Sequence, residues 1–204
     1  LFLGSLEPLD DESEDGKKEP GPLEKGGYPK TKEGLFAYHL IVLGDVAPQY
    51  FRRQQLEDIR DFVLERGGTL ITVAGENHMP VKFADGPLRN VLPVSGRNVG
   101  GSESEENHGD RGFAEVPLKL KPASEFEPVL QVGVDPEITK ELWEKLPPMI
   151  WARSGVRPAT HSEVLVEDDK DHRPVLLHAY AGQGKVLYLG SDSFWRWRDR
   201  SRWK

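Results

Sequence analysis

Residues 39–75 read HLIVLGDVAPQYFRRQQLEDIRDFVLERGGTLITVAG, with an apolar run near each end and an amphipathic segment between them. The first run, residues 39–43, is short and continuously hydrophobic, which is typical of a strand buried on both faces. From Phe51 to Val63 the apolar residues recur at helical spacing, and a Gly-Gly pair then supplies a helix stop. Residues 69–73 predict a second buried strand. The three elements and their short connections predict a right-handed βαβ unit in a parallel sheet.

The last third of the chain has a different pattern. Residues 163–167, 174–180 and 185–190 predict three further strands. An acidic turn at Asp168-Asp169 joins the first two, and Gly182-Gln-Gly184 joins the second to the third. This glycine turn lacks the G-x-x-x-x-G-K-[ST] spacing of a phosphate loop and leads into a strand, so we interpret it as a hairpin turn.

Length and charge set the domain organisation. The 204 residues predict a single domain spanning residues 1–204. The net charge of −7 is uneven, since residues 7–24 hold eight acids and two lysines, whereas residues 196–204 hold five bases and one acid. Residues 7–34 are polar and rich in Pro and Gly, which predicts a flexible acidic loop. The chain starts with the strand-like LFLG and no initiating Met, so we expect a fragment of a longer protein.

The composition excludes several kinds of chemistry. With no cysteine, the chain has no disulfide, no thiolate nucleophile and no cysteine-ligated metal. No apolar run approaches the roughly 18–20 residues that a membrane-spanning helix needs, so no membrane segment is expected. The acidic balance argues against nucleic acid as a partner.

The last residues interleave aromatic and basic side chains, FWRWRDRSRW at positions 194–203. Such a pattern can stack on nucleobases and contact phosphates. At helical spacing, however, Trp195 and Trp197 cannot face the same way, so we expect one of them to pack in the core. We favour this packing role over nucleic-acid binding.

Four polar residues follow predicted strands at one edge of the sheet: Asp45, Glu76, His78 and Asp192. In doubly wound sheets, ligands and nucleophiles lie at this carboxyl edge. Glu76 and His78 can act as an acid/base pair, since both side chains titrate in a usable range. Asp45, Glu76 and Asp192 would place three carboxylates at one rim, as a candidate site for a polyol or a cation.

Each of these residues also has a structural interpretation. Asp45 can cap the helix that follows it, and Ser191-Asp-Ser193 can cap a helix that begins at Phe194. Gly75 can simply form a turn, with His78 as a loop histidine. The sequence leaves these alternatives open.

The remaining histidines show no metal-ligand spacing; they are His39, His108, His161, His172 and His178. Neither an H-E-x-x-H motif nor a G-x-S-x-G elbow is present. The sequence therefore predicts no metal and no cofactor.

Three segments carry a family resemblance: YHLIVLGDV (residues 38–46), QLEDIRDFVLERGGTLITVAG (55–75) and PVLLHAYAGQGKVLYLGSDSFWRWR (174–198). They resemble the class I glutamine amidotransferase-like superfamily, and more narrowly the amidotransferase-like domains of large bacterial membrane-anchored proteins. The resemblance covers residues 28–93 and 147–198. It implies an α/β fold with a flavodoxin-like doubly wound, mostly parallel sheet, helices on both faces and a β-hairpin-rich C-terminal part. It also implies an extracytoplasmic location within a membrane-anchored protein, with a cytoplasmic location as the alternative.

The resemblance does not imply the family's activity. Active members place a nucleophilic Cys after a central strand, where this chain has Ala74-Gly75-Glu76, and a His-x-Glu pair after a late strand, where it has Ser191-Asp192-Ser193. Neither the nucleophile nor the base carries over. We expect a non-catalytic interaction or ligand-sensing module whose partners are other domains of the same polypeptide, other proteins or a small polar ligand. The alternative is a hydrolase or a polyol- or carbohydrate-binding domain that uses the carboxylates at the strand ends.

Overall fold

A computed structural model of the protein describes residues 2–3, 28–95, 115–122 and 124–202. Its strands are β1 (Phe2–Leu3), β2 (Leu40–Leu43), β3 (Thr69–Val73), β4 (Val94–Ser95), β5 (Leu118–Leu120), β6 (Arg157–Pro158), β7 (Ser162–Asp168), β8 (Pro174–Ala181) and β9 (Gly184–Leu189). Its α-helices are α1 (Lys32–Phe36), α2 (Arg53–Leu64) and α3 (Pro136–Glu144). Short 3₁₀ helices occupy Pro48–Tyr50, Val81–Phe83, Pro87–Asn90, Ser124–Phe126, Pro128–Leu130 and Ser193–Arg202.

The acidic loop predicted over residues 7–34 is described only from residue 28 onward; residues 7–27 and His108 lie outside the described residues. In the described part, Tyr28 is buried in the core. The Thr31 hydroxyl accepts a hydrogen bond from the Gly34 N–H at 3.1 Å and so caps α1. The last three residues of the stretch predicted as a loop therefore belong to α1.

Seven of the described strands form one sheet in the order β1-β2-β3-β9-β8-β7-β5. Strands β1, β2 and β3, which we call the parallel half, pair in parallel with one another, and β3 pairs in parallel with β9. Strands β8, β7 and β5, the antiparallel half, continue the sheet from the other side of β9. A separate two-stranded antiparallel ladder joins β4 to β6.

The α/β class predicted from the sequence is confirmed, but the mostly parallel sheet is wrong. Three of the six pairings in the main sheet are antiparallel. The short connections account for two of these pairings, β7 with β8 and β8 with β9, because a parallel neighbour needs a crossover of a dozen or more residues. The turn between β8 and β9 contains only Gly182 and Gln183, and Gly182 adopts φ +57°, a left-handed conformation that glycine tolerates.

Helix α2 covers one face of the parallel half. Its buried residues pack against β2, β3 and β9 in the main core; they are Leu56, Ile59, Phe62 and Val63. The helix starts where the Gln55 side-chain oxygen accepts a hydrogen bond from the Arg52 N–H at 2.8 Å. Fully burying an aliphatic or aromatic side chain of this kind contributes about 1.5–3 kcal/mol, so this helix is the main stabilising element of that face.

The opposite face of the sheet is covered by residues from later in the chain, including helix α3. Neighbouring residues on β8 point to different sides, since Leu177 belongs to the main core and Leu176 to a second cluster with Trp143 of α3. Trp197 packs edge-on against Trp143 with ring centroids 5.3 Å apart, whereas Trp195 is 63% exposed. The expectation that one tail tryptophan packs in the core is met by Trp197. No described helix is long and apolar enough to cross a membrane.

Candidate functional site

Asp45 lies just beyond β2 and organises the loop that follows β3. Its carboxylate accepts three backbone hydrogen bonds, from the N–H groups of Asn77 (2.9 Å), His78 (2.8 Å) and Met79 (2.7 Å). Hydrogen bonds to an ionised acceptor are roughly twice as strong as neutral ones. Asp45 therefore does not cap the following helix; it holds the loop after the next strand.

Gly75 is required for this arrangement because of space. A Cβ atom at this position would lie 2.0 Å from Cγ of Asp45. Any side chain would therefore displace the carboxylate from the three N–H groups that it binds.

Arg153 connects this loop to the end of β9. Its Nη1 donates to the carbonyl oxygens of Gly75 (3.3 Å) and Glu76 (2.8 Å), and its backbone N–H donates to the Gly190 carbonyl at 2.7 Å. The Glu76 side chain lies at an exposed position. Arg153 is a cation at the carboxyl edge that the sequence analysis did not single out.

Two buried polar atoms at this edge have no hydrogen-bond partner among the described residues: the Tyr188 hydroxyl and Nε of Arg153. Burial raises the pKa of Tyr188 well above its ordinary value, and the nearby positive charge of Arg153 offsets this effect only in part. A buried donor left unpaired costs about 1–3 kcal/mol. Both groups would therefore gain from an oxygen acceptor.

Asp192 makes a separate contact. Its Oδ1 accepts a hydrogen bond from the Trp151 indole N–H at 2.7 Å. None of the described hydrogen bonds links Asp192 to Asp45, Glu76 or His78. Of the four residues singled out from the sequence, the structure thus joins Asp45 to the backbone of His78, places Glu76 in the same loop and hydrogen-bonds Asp192 to Trp151.

Within Ser191-Asp-Ser193, Ser191 provides the capping contact that the sequence predicts for this segment. The Ser193 N–H donates to the Ser191 hydroxyl at 3.0 Å, and both serines are fully buried. Their hydroxyl oxygens lie 2.6 Å apart. This turn starts the 3₁₀ helix Ser193–Arg202, and Ser191 supplies the capping oxygen.

A second polar cluster lies in the antiparallel half and comprises Glu127, Glu163 and His178. One ligand atom from each residue lies within 4.8 Å of the others. Glu163 on β7 stands directly opposite His178 on β8, with 3.1 Å between Oε2 and Nε2. Glu127 comes from the connection between two short 3₁₀ helices.

This cluster was not among the residues singled out from the sequence, although the sequence does indicate that two of its members face each other. Glu163 and His178 lie five residues before Asp168 and five residues after Arg173, at equivalent positions of the predicted hairpin. Such positions face each other in an antiparallel pair. Glu127 had no comparable signal, because its connection shows no regular pattern.

The comparisons with known proteins establish the fold only. No protein-family model matches the chain, and no curated protein matches it. It is similar to Cytoplasmic Protein STM1381 from Salmonella typhimurium LT2, with a TM-score of 0.59 and 22% identity over 87% of this chain and 71% of that chain. It is also similar to Cytoplasmic Protein STM3548 from Salmonella typhimurium, with a TM-score of 0.57 and 20% identity over 83% of this chain and 72% of that chain.

Proposed function

We propose that this chain is a non-catalytic, ligand-sensing module of the class I glutamine amidotransferase-like type. The observation that carries the proposal is the pair of buried, unpartnered polar groups on Tyr188 and Arg153 at the carboxyl edge of the sheet. A flavodoxin-like doubly wound arrangement belongs to the same proposal. It is supported by the parallel pairing of β1, β2, β3 and β9 and by the helical elements that contact both faces.

The residues at the end of β3 support the absence of glutaminase catalysis. The chain has no cysteine, so no thiolate can attack a glutamine amide. Gly75 stands against Asp45, whose carboxylate already accepts three backbone N–H groups. A carboxylate engaged in this way is a structural anchor rather than a general base.

The ligand class follows from the donors. A guanidinium N–H and a phenolic hydroxyl both donate to oxygen, and a guanidinium prefers a carboxylate. Since Arg153 also bridges the ends of β3 and β9, a ligand bound to it would be coupled to both strand ends. We infer a small molecule with a carboxylate or several hydroxyl groups.

The experiment is a thermal-shift series on the full chain with L-glutamate, L-glutamine, glycerol and glucose. We expect at least one of them to raise Tm of the wild-type protein and to leave Tm of Tyr188→Phe unchanged. The variant itself should be as stable as the wild type or more so, because it loses an unpaired buried hydroxyl. Tyr180→Phe is the matched control, since Tyr180 is 66% exposed, and it should keep the full shift.

Two results would overturn the proposal. One is the absence of any Tm shift with all four compounds, or a shift that Tyr188→Phe retains. The other is turnover of L-glutamine by the purified protein that disappears in His78→Asn. A hydrolase that uses the carboxylates at the strand ends is the weaker candidate, because Asp45 and Asp192 are already engaged by the loop and by Trp151.

A further inference from the structure

We propose that Glu127, Glu163 and His178 form a binding site for a divalent transition metal ion, with Zn²⁺ as the best fit. One imidazole nitrogen and two carboxylate oxygens come within 4.8 Å of one another. They come from two neighbouring strands and a separate connection, so their meeting is produced by the tertiary fold. This site is independent of the ligand site proposed at Tyr188 and Arg153.

The distances suit a metal ion. Zn²⁺ binds nitrogen and oxygen ligands at about 2.0–2.2 Å, which places two ligands of a tetrahedral site about 3.4 Å apart. Nε2 of His178 and Oε2 of Glu163 are 3.1 Å apart, close to this value. Glu127 is half-buried in a connection, and reducing its separation from the other two ligand atoms from at most 4.8 Å to about 3.4 Å would complete the set.

The charges also call for a cation. Among the described residues, no Lys or Arg forms an ion pair with Glu127 or Glu163; the partner of Glu163 is His178. A second His–Glu pair in the same half provides a contrast, since Glu167 contacts His172 at 3.1 Å and also binds Lys121 at 3.0 Å. The carboxylate of Glu167 is neutralised by a protein cation, whereas the two carboxylates of the cluster share one imidazole.

The surroundings hold the imidazole in place. His178 is buried, and the Tyr180 ring packs against it edge-on with centroids 5.6 Å apart. Lys185 Nζ lies over the Tyr180 ring, 5.5 Å from its centroid. Glu163 lies at the exposed side, so three protein ligands would leave a fourth position open to water or to an oxygen-bearing ligand. Mixed nitrogen and oxygen donors favour zinc over the harder magnesium and calcium ions.

The test begins with the full chain, treated with a chelator that is then removed. The protein is titrated with Zn²⁺ alone, and isothermal titration calorimetry measures the binding. We expect saturable one-to-one binding. Glu127→Gln, Glu163→Gln and His178→Gln should each weaken it by about tenfold or more, since loss of even an outer-shell partner costs about 10–100-fold. Cobalt binding, followed by visible absorption, should weaken in the same three variants.

Matched controls separate this site from adventitious binding. His172→Gln removes the other histidine of a His–Glu pair, and Glu125→Gln removes a neighbouring acid in the 3₁₀ helix Ser124–Phe126 that precedes Glu127. Both should bind Zn²⁺ like the wild type. Absence of saturable binding, or a loss smaller than about tenfold in Glu127→Gln, overturns the proposal. Glu127→Gln decides the matter even if His178→Gln misfolds, because Glu127 lies in a connection and circular dichroism will report whether the variant is folded.

Discussion

The polar side chains of the parallel half and of the antiparallel half of the sheet have different hydrogen-bond partners. At the carboxyl edge of the parallel half, the Asp45 carboxylate accepts hydrogen bonds from backbone N–H groups of the loop that follows β3. In the antiparallel half, the acids lie on the strands and meet other side chains, as Glu163 meets His178 and Glu167 meets Lys121. Polar residues at a strand end are therefore not available for chemistry merely because of their position. Cross-strand pairs in a hairpin can be better candidates.

The largest expected effect concerns the core of the parallel half. Phe62 is fully buried on α2, and its ring contacts Gly68 so closely that a Cβ at Gly68 would lie 2.1 Å from Cζ. Phe62→Ala should lower the free energy of unfolding by about 3–5 kcal/mol, because it removes buried area and leaves a cavity. Urea denaturation measures the loss. Phe126→Ala is the control, since Phe126 is 61% exposed and its removal should change little.

The next effect tests whether Asp45 is an anchor. Asp45→Ala leaves three backbone N–H groups without their acceptor and should cost about 3 kcal/mol in the free energy of unfolding. Hydrogen exchange should also speed up at Asn77, His78 and Met79. Asp85→Ala, an exposed acid in a nearby connection, should be neutral. A stable Asp45→Ala protein with unchanged exchange would mean that the loop is held by other contacts.

A smaller, pH-dependent effect belongs to the antiparallel half. Burial raises the pKa of Glu167, but hydrogen bonds from Lys121 and His172 outweigh it, so the folded-state pKa lies below 4.5. A carboxyl with a depressed folded-state pKa stabilises the protein above its unfolded-state pKa, and this stabilisation is lost as the pH falls through the folded-state pKa.

Glu167→Gln should therefore be less stable than the wild type at pH 7, and the gap should narrow as the pH falls below about 4.5. Urea denaturation at pH 7, 5, 4 and 3 measures the difference in the free energy of unfolding between the two proteins. Glu144→Gln, an exposed position on α3, gives the background. A gap that stays constant with pH would contradict the assigned ion pairs.

The smallest effect is expected on the surface of α3. Glu141 and Lys145 are 67% and 66% exposed and lie 3.5 Å apart, one turn apart on the helix. Exposed pairs of this spacing contribute about 0.3–0.5 kcal/mol. Glu141→Gln should therefore change the free energy of unfolding by less than about 0.5 kcal/mol, and by less still in 1 M salt. A larger change would mean that this exposed pair contributes as much to stability as the partly buried charges of the antiparallel half.

Much of the fold could be predicted because its signal is local. The strand predicted at residues 69–73 is β3 with the same bounds, and the three C-terminal strands are displaced by one residue at most. The helical spacing that starts at Phe51 becomes a helix only from Arg53, because Phe51 itself adopts an extended conformation that ends a short 3₁₀ turn. The mostly parallel sheet is an implication of the family resemblance, whereas the two turns in the last third of the chain already require antiparallel neighbours.

The candidate sites could be predicted less well. The sequence indicated that Asp45 and His78 would share an edge, and they do, but it could not tell that the carboxylate binds the backbone of His78 rather than its ring. Arg153 reaches that edge from an irregular segment, so periodicity gave no signal for it. Glu127 likewise meets Glu163 and His178 through a connection whose path depends on the whole fold.

The position of β9 between β3 and β8 has a consequence for synthesis on the ribosome. Leu70 is paired with Val186, 116 residues later in the chain. At about 5–20 residues per second, the edge of β3 would wait on the order of 6–23 seconds for its partner strand to be made. During that interval the nascent chain exposes an unpaired, apolar strand edge, the kind of surface that chaperones bind and that promotes aggregation.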